Sequence, residues 1–259
     1  MTAQWPKRAP ANAPQTAAGG IDLNGPLPRT ADGKPDLSGL WRGAPFAGPG
    51  RRGGGAGAPQ GPPPDPNAPP AANFLNIAAN IPGGVPLTPF AAELLKTRVA
   101  GNSKDNPEAH CLPMGIVQLH TQGAPRRYIQ TPRQLVILYE ASMERREIFT
   151  DGRALPPQGD PQPFWSGYSA GRWDGDTLIV ESNNFRDGGW LDVRGTPLTD
   201  EGRITERFRR VSYGRMEVDI TVEDKKAFTR PWTVRLTQIL MPDEDLIEFV
   251  CLENQRFGK

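Results

Sequence analysis

Two histidines and two cysteines are all that this chain of 259 residues has of the side chains that most often carry acid/base, metal or thiol chemistry. A hydrolytic zinc site usually takes three protein ligands. His110 and His120 would have to recruit Glu108 or Asp105, and their spacing follows no known zinc pattern, so no metal is expected. No P-loop or HExxH signature occurs, so no organic cofactor is expected either. No run approaches the ~18 apolar residues of a membrane span. Lysine and arginine (30) nearly cancel aspartate and glutamate (29), leaving +1. That balance offers no global field to nucleic acid or to an anionic membrane. No long helical pattern is available for crossover connections, so a parallel sheet is not expected.

Glycine and proline are plentiful, 29 of each, and concentrated in residues 45–70. That run has almost no apolar side chain to bury and cannot offset the entropy of ordering itself. Arg51 and Arg52 within it read as solubilising charges. Residues 1–36 are rich in proline and alanine without periodicity and read as an extended arm, lying on the domain or on a neighbouring subunit. Leu37-Ser38-Gly39-Leu40-Trp41 gives the first compact apolar signal, a first strand. Residues 88–98 predict a short helix, with Thr88 as N-cap, Pro89 at its first position and an apolar stripe of Phe90, Leu94 and Leu95.

From Arg126 onward the pattern has period two. In 215–223, Met216, Val218, Ile220 and Val222 alternate with Glu217, Asp219, Thr221 and Glu223, the mark of a half-buried antiparallel strand. Further strands fit 127–131, 134–141, 145–150, 167–173, 176–183, 203–211, 230–241 and 246–252. Asp174-Gly175 between two of them is a strong hairpin signal. The fold class read from this is all-β: an antiparallel β-barrel of lipocalin-like type or a β-sandwich, with a Pro/Gly-rich N-terminal arm and one or two short helices. Residues 37–125 would hold the first strand, the low-complexity insertion and the helix, 126–259 the main β domain, and 37–259 one structural domain.

Met1-Thr2-Ala3-Gln4 reads as an initiator placed on a chain whose export signal has been removed, which implies a periplasmic or extracellular location. In such a compartment an even cysteine count suggests a disulfide, here Cys111–Cys251. Closing a loop of 140 positions, it would contribute at most about 5 kcal/mol in the chain-entropy model.

Several long motifs point the same way. They include 32–41 (DGKPDLSGLW), 111–115 (CLPMG), 171–178 (GRWDGDTL), 184–192 (NFRDGGWLD), 205–210 (TERFRR) and 248–254 (EFVCLEN). Together they resemble a large family of exported proteins from soil bacteria, abundant in acidobacteria and their neighbours, over nearly all of residues 30–254. The resemblance implies export and supplies no catalytic residues. Relatives often carry a second histidine where this chain has Gln122, and other branches one where it has Leu198. Gly39-Leu40-Trp41 also resembles, more weakly, the G-x-W that opens lipocalin-like barrels.

His120, just before the β-rich region, is the candidate general base. Glu140 shares a face with Val136 and Leu138, Glu181 with Thr177 and Ile179, and Glu206 with Ile204 and Phe208. A carboxylate on an apolar face needs a partner, so these four residues form a candidate catalytic set. Arg146, Arg186 and Arg207 would stabilise negative charge, and Tyr139, Tyr168, Asn184 and Trp190 would hold a substrate. The function this implies is cofactor-free acid/base chemistry of lyase or hydrolase type on a small organic or carbohydrate substrate in a barrel cavity. The other readings are a non-catalytic, lipocalin-like small-ligand binder and a structural or assembly protein of the envelope, with a possible homo-oligomer through the arm.

Overall fold

In the computed structural model, residues 10, 12–44, 65–159 and 162–251 are described. Most of the Gly/Pro-rich run with Arg51 and Arg52, the start of the arm and the end of the expected last strand lie outside them. The strands are β1 (Gly39–Gly43), β2 (Arg126–Gln130), β3 (Gln134–Tyr139), β4 (Arg145–Phe149), β5 (Tyr168–Asp174), β6 (Thr177–Asn183), β7 (Gly189–Trp190), β8 (Pro197–Leu198), β9 (Arg203–Ser212), β10 (Arg215–Glu223) and β11 (Trp232–Leu240). Nine of them close into a barrel in the order β1-β11-β10-β9-β6-β5-β4-β3-β2, with β2 returning to β1, while β7 and β8 form a separate ribbon. The all-β barrel is thus the architecture, and the sandwich alternative is not.

The barrel departs from the expected pattern at one seam. β4 and β5 run parallel, joined only through Ile148–Ser169 and Phe149–Ala170. The long loop between them brings the chain back to the same end before it re-enters the wall. The β5–β6 hairpin follows the sequence reading: Gly175 at φ 56° turns the chain and Asp174 faces Thr177. Among the described residues, 246–251 form no strand despite their alternation. Cys251 is instead bonded to Cys111, with Cα atoms 5.7 Å apart.

Among the described residues two α-helices accompany the barrel, α1 (Pro89–Ala100) and α2 (Ile116–Thr121). Thr88 caps α1 as expected, its hydroxyl accepting from the Ala91 amide. The expected apolar stripe is not buried: Phe90 is 57% exposed, Leu94 and Leu95 are half-buried, and Ala91 alone is covered. α2, a second short helix, falls where no helical period marks its position in the sequence. It matters most for the interior, because five of its six residues are buried.

Both mouths are closed. At one, the arm folds back on its own barrel: Tyr213 and Gly214 amides donate to Gly25 and Leu23 carbonyls at 2.9 and 2.7 Å, and Leu37 is fully buried. At the other, α2 leads straight into β2 and seats His120 among the barrel's inward side chains. Gln118 ties α2 to the β7 segment by donating to the Trp190 carbonyl at 3.1 Å. Asp192 accepts from the Ile77, Gly195 and Thr196 amides at 2.8–2.9 Å and pins the surrounding loops together.

Candidate functional site

Strand register decides which side chains look inward. Val180 faces Glu206 and Glu206 faces Ile220, so Glu206 lies on the interior row with Ile204 and Phe208 as the alternation predicted. Ile137 faces Arg146, and Ser169 faces Ser182, so β4, β5 and β6 aim a guanidinium and two hydroxyls at the same place. α2 adds His120 from the plugged mouth.

These groups form one sealed network. Arg146 Nη1 donates to Glu206 Oε1 at 3.0 Å and its Nη2 to Oε2. Nε and Nη2 of Arg146 also donate to Ser169 Oγ at 3.2 and 3.1 Å, and Nη2 to Ser182 Oγ at 3.0 Å. His120 Nε2 lies 3.0 Å from Glu206 Oε1, 3.2 Å from Arg146 Nη1 and 3.3 Å from the Tyr139 hydroxyl. One nitrogen cannot both donate to the carboxylate and accept from the guanidinium. The carboxylate contact is the shorter, so the tautomer that fits carries its proton on Nε2 and leaves Nδ1 as a bare lone pair. Nδ1 has no partner among the described residues.

The electrostatics agree with burial. His120 and Glu206 are fully buried and Arg146 is 3% exposed. Burial pushes the imidazole down to about 4 against the opposing pull of Glu206, so it is neutral at pH 7 and its contact with Glu206 is a hydrogen bond rather than an ion pair. Burial alone would raise Glu206; Arg146 and His120 override it and hold the carboxyl down to about 2. Burial raises the Tyr139 phenol. Arg126 is a second buried guanidinium, lowered by burial. It donates to the carbonyls of His120 (2.6 Å), Gln122 (2.6 Å) and Ala124 (3.0 Å), closing the C-terminal end of α2, where a cation is favoured.

The remaining sequence candidates scatter. Glu140 ends β3 at a turn, where its Oε2 accepts from the Ile247 amide at 3.3 Å. The face it was assigned with Val136 and Leu138 is the outer one, because Ile137 and Tyr139 point inward. Glu181 also faces out, paired with Arg172 at 2.8 Å. Arg207 stands outside, 3.7 Å from Asp174. Tyr168 stacks on Phe149 and accepts from Arg153 at 3.1 Å. Asn184 is buried, with a left-handed φ of 56°, and its side chain accepts from the Gly159 amide at 2.5 Å. Arg186 lies over Trp165, 5.4 Å from its ring centre, and Trp190 is buried under Arg98 at 4.5 Å. The four proposed proton-transfer residues therefore do not share a cavity; only His120 and Glu206 meet.

Sequence reasoning missed Ser169, Ser182, Arg126, Tyr128 and Gln238, all buried polar side chains of the barrel or its entry. The signal existed for the serines: the Asp174-Gly175 turn sets the register that places Ser169 opposite Ser182. His110 is exposed on a separate turn, 3.0 Å from the Lys104 carbonyl, and does not join His120. No group of three or more His, Cys, Asp or Glu side chains that could hold a metal occurs among the described residues.

Three grooves among the described residues lie outside the barrel. One, of about 620 Å³, runs beside Asp151, Arg153 and Tyr168. A second of about 620 Å³ sits by the arm. The third, about 760 Å³ and larger than the other two, runs along the outer side of β1 and β11 beneath residues 71–75, and its lining is more apolar than polar. Compared with known proteins, the chain matches no family model, no curated protein and no solved structure.

Proposed function

We propose that this is an exported, lipocalin-like carrier that binds a small organic ligand without transforming it, in the outer groove along β1 and β11. The observation that carries this reading is the groove itself: at about 760 Å³ with a mainly apolar lining, it matches the ~300–1,000 Å³ of small-molecule sites, which combine apolar walls with a few placed polar groups. The sealed state of the interior supports it from the other side. A general base must come within hydrogen-bond reach of its substrate, and His120 and Glu206 are fully buried behind α2. The Cys111–Cys251 disulfide supports an oxidising compartment, and no helix among the described residues is long and apolar enough to cross a membrane.

The test is a thermal-shift screen of small organic acids, alcohols and sugars, followed by recovery of any hit. A ligand at a hundred times its Kd should add about 2.7 kcal/mol of stability and be recovered unchanged. Consumption of the ligand at a rate that collapses in His120→Gln would overturn the carrier reading. It would favour the second one, acid/base catalysis in the barrel, for which the bare Nδ1 of His120 is the specific support.

A further inference from the structure

We infer that the outer groove takes an amphipathic organic monoanion, a carboxylate on an apolar body, with Arg42 and Arg215 as its anion anchor; this rests on the carrier reading above. The register places the anchor. Arg42 of β1 faces Ile239 of β11, and Ile239 faces Arg215 of β10, so the two arginines stand on the outer face on either side of one buried isoleucine. Two strand spacings separate their backbones by roughly 10 Å, a span two long side chains close over a single carboxylate.

Neither guanidinium is fully engaged. Arg42 makes no hydrogen bond or ion pair among the described residues, although it is only half-exposed. Arg215 Nε is buried without an acceptor, and its Nη2 reaches only a shared partner, Glu217, at 3.3 Å and Thr237 at 3.5 Å. Glu217 is already taken at 2.5 Å by Arg209 and at 3.3 Å by Arg235, and Asp219 by Arg235 at 2.5 Å. Asp65 adds a weaker field at Arg235. Four guanidiniums (42, 209, 215, 235) against three carboxylates (65, 217, 219) leave one positive charge over, which matches a monoanion rather than a dianion.

The other grooves lack this deficit. Arg153 is satisfied by Asp151 at 2.6 Å, Arg29 by Asp176 at 2.6 Å and Arg127 by Asp245 at 2.6 Å. The apolar half of the ligand has its own receptor. Phe74 and Leu75 line the same groove, and Leu75 is 63% exposed, an isolated large side chain at the rim that a ligand's hydrocarbon would cover.

The probe is dodecanoate, titrated calorimetrically below its micelle concentration into the full chain, with dodecanol as neutral control. Dodecanoate should bind saturably and at one site, and dodecanol about tenfold more weakly. Arg42→Ala, which breaks no hydrogen bond or ion pair among the described residues, should weaken dodecanoate about tenfold, the loss of one charge-assisted hydrogen bond. Arg42→Lys should restore part of that loss, and Leu75→Asn should weaken both probes alike. Arg153→Ala, in a different groove, should change nothing. If dodecanoate does not bind, or binds Arg42→Ala as tightly as the parent, or no better than dodecanol, the monoanion inference is wrong. The carrier reading would survive that result if the ligand screen finds another class, and would fall with it if the screen finds none.

Discussion

Replacing Glu206 by glutamine keeps the shape of the side chain and removes its charge, which isolates one quantity. The Arg146 guanidinium, 3% exposed, would keep its bonds to Ser169 and Ser182 but lose the one carboxylate facing it among the described residues. Leaving one member of a buried ion pair unneutralised costs about 3–5 kcal/mol. For a domain of this size that lowers Tm by about 6–20 °C, at 2–4 °C per kcal/mol. Arg146→Met should cost a similar amount, moderated because the stranded Glu206 can take up a proton. The informative variant is the double one, Arg146→Met with Glu206→Leu. It removes both charges at similar volume, leaves Ser169 and Ser182 bonded to each other at 2.9 Å, and should lie within about 2 kcal/mol of the parent. Urea denaturation of the four proteins closes the cycle, with an expected coupling of about 3 kcal/mol or more. Single-variant costs under about 1 kcal/mol, or a double variant as unstable as the two singles summed, would refute a sealed interior and show that water reaches the pair.

His120 sets a pH dependence of stability. Its folded pKa of about 4 lies below the unfolded value of about 6.5, so the unfolded chain binds the extra proton between them and stability falls as pH drops through that window, by up to about 3 kcal/mol; in His120→Gln, urea midpoints between pH 6.5 and 4 should lose this slope. Below about pH 4 the parent should weaken further, as Glu206, held down to about 2, is protonated. Glu144 works in the opposite sense: burial raises it to about 7, so its ionisation destabilises the fold as pH rises through 7. Glu144→Gln, which can still accept from the Met114 amide, should therefore raise Tm at pH 8 and not at pH 4. Replacing Cys111 and Cys251 by alanine should cost about 2–5 kcal/mol, the usual range for a native disulfide, measured against the oxidised parent; no loss would mean that the tail bearing Cys251 adds nothing to the fold.

The barrel was legible in the sequence where one face alone is apolar. β10 alternates cleanly, and Glu206 could be assigned inward because Ile204 and Phe208 flank it. Glu140 and Glu181 were misassigned for a related reason. β3 carries Val136 and Leu138 on its outer face, and β6 carries Ile179 there, 5% exposed. With apolar side chains on both faces, alternation still gives a strand but no longer tells inside from outside. α2 escaped because six apolar-rich residues show no helical period of their own; its helix is set by tertiary contacts and by Arg126 at its C-terminal end. The tail at 246–251 has the alternation of a strand, but the disulfide and the Arg127–Asp245 pair fix it against the barrel instead of beside another strand.

One residue links the buried network to the weakest part of the wall. β4 and β5 meet in parallel over Ile148–Ser169 and Phe149–Ala170 alone, whereas β9 and β10 pair along nearly their whole lengths. Arg146 stands on β4 at that seam and reaches Ser169 on β5, Ser182 on β6 and Glu206 on β9. Its guanidinium thus spans the seam from inside and replaces with side-chain bonds the ladder that the parallel pair lacks. Stability in a folded domain is distributed unevenly and opens in local units, so the seam is where loss of this arginine should show first. In Arg146→Met, hydrogen exchange of the 145–149 and 168–171 amides should accelerate by a larger factor than that of the 216–222 amides, beyond what the global loss of stability gives every amide equally. Uniform acceleration across the wall would mean that Arg146 stabilises the barrel as a whole, and the idea of a stitched seam would have to be abandoned.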